Sequence, residues 1–226
     1  MNITHLNHSG FLIEDGRFVI LFDCIDQLDT KKIKEKEIIF FASHSHKDHF
    51  DPTIAEALSE LHTTYILSYD IKERPSKDLT CIMKPKEKVT LGPLHVETYD
   101  STDRGVSYLV KLNDYTYFHC GDLNWWHWKK MTPEQLLLEE SDFKRVIDEI
   151  KDKSIDFAFV PVDPRLEEFG LLAAQYFLDT VKPKYLIPMH SFGDYAYYND
   201  LDKKLQTDKT ILLNCSHKNQ KIYKEQ

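Results

Sequence analysis

The sequence predicts an α/β protein in which two groups of strands are each followed by helix. Three observations carry this. Short apolar or alternating runs recur through residues 3–22 and again through 94–120. Runs with helical spacing follow both groups, and four strands empty directly into residues that bear chemistry. With 226 residues, 42% hydrophobic and 12% aromatic, the chain can bury a continuous core. No linker or internal repeat divides it, so residues 1–226 read as a single domain. The excess of 37 Asp and Glu over 29 Lys and Arg gives a net charge of −8, which argues against a general binder of nucleic-acid backbones. No apolar run approaches the roughly 20 residues that span a bilayer, and the first residues lack the features of an export signal. Cys24, Cys81, Cys120 and Cys215 form no C-x-x-C pair. A cytoplasmic protein with reduced thiols is therefore expected.

Taken in order, Ile3, Phe11 to Ile13 and Phe18 to Phe22 form the first strands, with turn material at Ser9-Gly10 and Glu14 to Arg17. Ile38 to Ala42 is a fully apolar strand. From Pro52 to His62, Ile54, Ala55, Leu58 and Leu61 fall at helical spacing, with Asp51 as N-cap and Pro52 in the first turn. Tyr65 to Leu67, Thr80 to Met83 and Lys88 to Leu91 are short strands, with a solvated turn from Lys84 to Lys88. The second group comprises Leu94 to Tyr99, Val106 to Leu112 and Tyr115 to Cys120, with Asn113-Asp114 as a hairpin turn. Pro133 to Asp152 is the clearest helix, because Phe143, Val146, Ile147 and Ile150 share one face. A strand from Asp156 to Pro161, a helix from Gly170 to Val181, and strands at Tyr185 to Pro188 and Ile211 to Leu213 complete the pattern.

The stretch IIFFASHSHKDHFDP, residues 38–52, carries the strongest chemical signal. Its strand ends in His44, His46, Asp48 and His49. Such imidazoles would repel one another if protonated and are wasteful as loop residues that only hydrogen-bond, whereas together with a carboxylate they hold a divalent metal. The donor types suit zinc, manganese or iron better than calcium or magnesium. Other strand ends offer further groups. Asp122 follows Gly121, which lets the backbone turn sharply, and reads as a ligand; His190 reads as another. Asp23 fits a partner that orients a ligand histidine, and equally a solvated turn residue. His8 either faces the same site or is structural. Asp163 and Arg165 contact substrate or form an ion pair in a turn. The indoles of Trp125, Trp126 and Trp128 wall a pocket or pack beneath a loop.

HSHKDH after an apolar strand, Gly121-Asp122 and Pro188-Met189-His190 together resemble the metallo-β-lactamase superfamily. The opening from Thr4 to Glu14 and the strand end at Asp23 look most like its L-ascorbate-6-phosphate lactonase-type branch. The resemblance covers essentially the whole chain. It implies a four-layer αββα sandwich with a metal site along one edge. Position by position, it implies His44 and His46 in a first metal site, Asp48, His49 and His190 in a second, and Asp122 bridging them. His46 between His44 and Asp48 is similar to the hydrolase members and unlike the diiron oxidoreductases. One departure stands out: the histidine that usually completes the first site, between Tyr99 and Val106, is missing. Asp103, or Asp100 less readily, takes its place, or the first site is weak, or one metal suffices. His95 and His119 lie within strands and are poorly placed.

The expected activity is hydrolysis by a metal-bound hydroxide, with one or two transition-metal ions and with Asp48 both ligating and orienting the nucleophile. No G-x-S-x-G elbow or Cys-His arrangement offers another route. The branch resembled implies a small lactone or ester with an anionic group, met by Arg165 or Arg104 and by the tryptophan cluster. The rival readings are a phosphodiesterase or nuclease, which the acidic balance disfavours, and a non-catalytic metal-binding scaffold, which the missing histidine keeps open.

Overall fold

A computed structural model describes residues 1–75 and 79–225. One sheet contains β1 (Asn2–Asn7), β2 (Gly10–Asp15), β3 (Phe18–Phe22), β4 (Glu37–Ala42), β5 (Thr63–Ser68), β6 (Thr80–Met83) and β14 (Gln220–Lys224), in the order β14-β1-β2-β3-β4-β5-β6. The other contains β7 (Lys88–Leu91), β8 (Leu94–Tyr99), β9 (Ser107–Leu112), β10 (Tyr115–His119), β11 (Phe157–Pro161), β12 (Tyr185–Met189) and β13 (Ile211–Leu212), in the order β13-β12-β11-β10-β9-β8-β7. Helices α1 (Thr30–Ile33), α2 (Pro52–Ala57), α3 (Pro133–Ile150), α4 (Leu172–Thr180) and α5 (Leu201–Lys204) join them. The expected αββα sandwich is the architecture found.

Alternation along the strands sets the layers. In β3 and β4, Ile20, Phe22, Ile39 and Phe41 point to the space between the sheets, while Val19, Leu21, Ile38 and Phe40 point the other way. That outer face packs under Ile33 of α1 and Ile54 and Ala55 of α2. In the second sheet, Phe159 meets Phe11 and Phe22 at ring distances of 4.4 and 5.8 Å across the core, whereas Phe118 turns outward to Phe177 of α4. Helix α3 begins with a reciprocal capping box between Thr132 and Gln135 and buries Phe143, Val146, Ile147 and Ile150.

Several boundaries differ from expectation. The helix after Pro52 is capped by Asp51 as predicted, but turns into a 3-10 segment at Leu58–Glu60. The helix predicted from Gly170 starts at Leu172, after a 3-10 turn at Pro164–Phe169. Strand β14 was not expected. Its apolar residues, Ile222 and Tyr223, lie among lysines and a glutamine, and pairing with β1 at the sheet edge makes it a strand.

The topology explains why chemistry gathers at one rim. Strands β3 and β4 run parallel, as do β10, β11 and β12. Strands β1 and β8 lie two antiparallel steps from β3 and β10 and so share their directions. The chain therefore leaves all seven strands at the same edge, delivering His8, Asp23, His44, Asp103, Asp122, Asp163 and His190 there.

Because Phe159 is fully buried and stitches the sheets together, Phe159→Ala should lower the free energy of unfolding by about 3–5 kcal/mol, seen as a fall in the urea midpoint without loss of cooperativity.

Candidate metal centre

Two groups of donor atoms meet at the rim, each with all members within 4.8 Å of one another: His44, His46, Asp103 and Asp122 in one, and His8, His49 and His190 in the other. In the first, His44 Nε2 lies 3.0 Å from His46 Nδ1 and 3.5 Å from Asp122 Oδ2, and His46 Nδ1 lies 3.6 Å from Asp103 Oδ2. A tetrahedral ion with bonds of about 2.0–2.1 Å spaces its donors by about 3.3 Å, so these separations match one coordination sphere. Asp103 stands where the expected histidine is absent, and Asp100 instead pairs with Arg145. His119 stacks on Phe22 and bonds the Ser9 carbonyl, inside the core.

Around the second group, His49 Nε2 and His190 Nε2 lie 3.0 and 2.9 Å from Asp122 Oδ1. The Asp122 carboxylate thus turns one oxygen to each group. His49 Nε2 is buried and makes no hydrogen bond of good geometry.

The other nitrogen of each core histidine is held from behind. His49 Nδ1 donates to Asp23 Oδ2 at 2.7 Å, and His190 Nδ1 to Asp163 Oδ2 at 3.1 Å. His44 Nδ1 donates to Ser43 Oγ at 3.0 Å, which donates to Asp23 Oδ2 at 2.7 Å. These bonds fix the tautomers that leave each Nε2 open toward the site. Two glycines let the opposite loops close on the end of β4. Gly121 and Gly105 have φ of +55° and +70°, and a Cβ on them would meet Ser43 Cβ at 2.7 Å and the Ser43 carbonyl oxygen at 2.0 Å.

The electrostatics are those of a site that needs a cation. Burial pushes the Asp122 carboxyl up, but the charge of His49 and the hydrogen bond from His190 outweigh it and hold it well below the usual carboxylate range. Burial opposes a charge on His49, yet Asp122 and Asp23 on its two sides raise it to about 10. Burial and the neighbouring His49 bring His44 down to about 4. Burial brings His8 down to about 2, reinforced by His190 and His49. Positive charge is thus held between His49 and Asp122, and a divalent ion satisfies the same demand.

The site opens into a cavity of about 370 Å³ lined by His46, Asp48, Asp103, Asp122, Trp126, Trp128, Arg165, His190 and Phe192, with Thr102, Met131 and Glu139. A larger space of about 760 Å³ beside Ser45, Lys47 and Arg104 contains neither donor group, so size does not locate the chemistry. Arg104 belongs there and not to the metal cavity.

Asp48 departs from expectation, and the alternatives left open at three other places resolve. Trp125 does not line the cavity: its ring lies 6.2 Å from Phe143, with the Lys144 ammonium 4.7 Å above it, and Trp126 and Trp128 face the site in its place. Asp163 is fully buried and touches no solvent; it holds Arg165 and His190 instead of substrate. Of the two readings of His8, the structure has it facing the site, inside a donor group with His49 and His190. Asp48 lies outside both groups, 43% exposed, with Oδ2 3.5 Å from His8 Nε2. Ser43 and Phe192 were missed. Ser43's place directly before His44 was the available signal; Phe192 had none.

The description "Beta-lactamase superfamily domain" matches residues 2–190. A UPF0173 metal-dependent hydrolase of Carboxydothermus hydrogenoformans is 25% identical over 84% of each chain. In fold, the chain is similar to Igni18, a metallo hydrolase of Ignicoccus hospitalis, with a TM-score of 0.62 at 11% identity, covering 100% of this chain and 99% of that one. It is also similar to the metallo-beta-lactamase fold protein YhfI of Bacillus subtilis, with a TM-score of 0.60 at 13% identity, covering 94% and 95%. The matched segment begins in β1 and ends at His190, taking in every strand end of the rim, and the chain belongs to the beta-lactamase superfamily domain family.

Proposed function

We propose that this chain, a metal-dependent hydrolase of the metallo-β-lactamase superfamily, cleaves an ester or lactone bond in a small substrate that carries an anionic group. The observation that carries this is a buried carboxylate, Asp122, set between two donor groups at the foot of a cavity whose wall holds a guanidinium. His44, His46, Asp103 and Asp122 would hold one ion, and His49 and His190 would serve a second. Imidazole with carboxylate and no thiolate suits zinc, manganese or iron. A bound ion supplies Lewis acidity and lowers the pKa of a coordinated water to about 7.

The chain's own residues supply the rest. Arg165 is fixed at the rim because its Nε and Nη2 bond Asp163 and its plane lies 3.7 Å over Phe192. Its Nη1 has no partner among the described residues and meets the substrate's anion. Trp126 Nε1, buried in the cavity wall without a partner, is a second donor. Asp48 faces the same space, orients the attacking water and accepts its proton. Water's oxygen bonds the carbonyl carbon, the C–O bond to the leaving alkoxide breaks, and the proton passes to that alkoxide. A small, solvated substrate accords with a net charge of −8 and, among the described residues, with no helix long and apolar enough to cross a membrane.

The test is turnover of a panel of lactones, carboxylic esters and phosphodiesters by protein of known metal content. Lactones or esters bearing an anionic group should be cleaved; hydrolysis confined to phosphodiesters, or none at all, overturns the proposal. Asp48→Ala should cut kcat by at least about 100-fold with an unchanged circular dichroism spectrum, whereas in a non-catalytic scaffold no turnover exists to lose. Arg165→Met should raise KM for the anionic substrate more than it lowers kcat, and should leave an uncharged analogue nearly unaffected. Asp23→Asn should weaken metal binding by about 10–100-fold, measured by competition with a chromophoric chelator.

A further inference from the structure

We infer that the small molecule taken by the metal cavity is a zwitterion: Arg165 meets its anion, and Glu139 meets a cationic group such as a free ammonium. This rests on the proposed function for the cavity and the anion, and adds the cation. The chemical class is an ester or lactone of amino-acid character, with both a carboxylate and an unblocked amine.

Glu139 is a half-buried carboxylate on α3 that lines the cavity. Among the described residues its side chain has no ion pair and no hydrogen bond. The two cations of its own helix are engaged elsewhere: Lys144 pairs with Glu140, and Arg145 reaches Asp100, Asp142 and Glu149. The charged groups that act on Glu139 are both acidic, Asp142 and Asp103, and with burial they raise its carboxyl. A carboxylate partly withdrawn from water among like charges gains from any cation that enters. The other carboxylates of the wall have tasks. Asp103 and Asp122 belong to a donor group, and Asp48 serves the attacking water. Ions bound there would neutralise the donor carboxylates and leave Glu139 bare, because it belongs to neither group.

Position separates the two charges that a ligand would meet. Arg165 is tied through Asp163 to His190, whose Nδ1 lies 3.1 Å from the same Asp163 oxygen that Arg165 Nη2 bonds at 2.6 Å. It therefore stands on the side of the second donor group. Glu139 stands on the side of Asp103, in the first. Asp122 lies between, with Oδ2 3.5 Å from His44 Nε2 and Oδ1 2.9 Å from His190 Nε2. A ligand laid across the donor groups thus has its cation at one end and its anion at the other, with the bond to be cleaved over the middle.

Calorimetric titration of zinc-loaded protein tests this with alanylalanine, N-acetylalanylalanine and alanylalanine amide, whose peptide bond stands in for the ester. Wild type should bind alanylalanine at least about 10-fold more tightly than its N-acetyl form, which keeps an N–H but loses the charge. In Glu139→Gln that ratio should fall to about 2-fold or less, and in Glu139→Lys it should reverse. Glutamine forms helix about as readily as glutamate, so the first variant folds. Equal binding of the two compounds by wild type, a ratio unchanged in Glu139→Gln, or no binding of alanylalanine overturns the inference. Alanylalanine amide binding as tightly as the acid removes the anion from Arg165, and with it the zwitterion. An ester and lactone panel without turnover overturns the hydrolase and not this inference, because the titration reads binding alone.

Discussion

The carboxylate of Asp122 is the group on which the rim depends. It is 5% exposed, and an anion in that position is costly unless cationic or hydrogen-bonding groups surround it. The surrounding groups come from three loops: His44 and His49 after β4, His190 after β12, and the turn that Gly121 makes possible after β10. One buried charge thus ties the first sheet to the second at the edge where the sandwich is open. It also explains why the imidazoles differ: His49, flanked by two carboxylates, is raised, while His8 and His44, with less compensation for burial, are lowered.

Precision at such a centre comes from behind it. Asp23 serves two strands' worth of geometry at once, accepting from the Ser43 N–H, the Ser43 hydroxyl and His49. Asp163 does the same for His190 and Arg165, so a histidine of the donor group and the cavity's guanidinium share one anchor. Backbone strain concentrates at the same rim. His8, Asp23, His190 and Phe192 all have positive φ without being glycine, each an unfavourable conformation that the packing of the sandwich overrides.

Much of this was legible in the residues. Apolar strands that stop at His44, Asp122, Asp163 and His190 announce both the layers and the edge, because strand ends are local features and parallel pairing brings them together. Facing was not legible. In the irregular run from Leu123 to Lys130 no period says which indole turns inward, so the three were read together, although Trp126 and Trp128 line the cavity and Trp125 packs away from it. The fate of Asp163 depended on whether Arg165 folded back onto it, a choice made by Phe192 beneath the guanidinium. His8 and His190 are 182 residues apart, and only the pairing of β1 with its neighbours shows that they touch. Strand β14 lacked a signal because an edge strand needs only modest apolar content.

The charge around the cavity bears on the nature of its ligand. Asp48, Asp103, Asp122 and Glu139 line it against a single guanidinium, that of Arg165, which is itself paired with Asp163. Burial and the nearby Asp142 and Asp103 raise Glu139, a sign that negative charge there is already crowded. A metal-free cavity of this kind repels an anion. Under the proposed function, divalent ions at its foot would reverse the sign of the field that a ligand meets, so that cations which activate water would also make room for an anionic substrate. On that reading Arg165 would select orientation, since a guanidinium held by Asp163 and Phe192 can offer its remaining edge in one direction only.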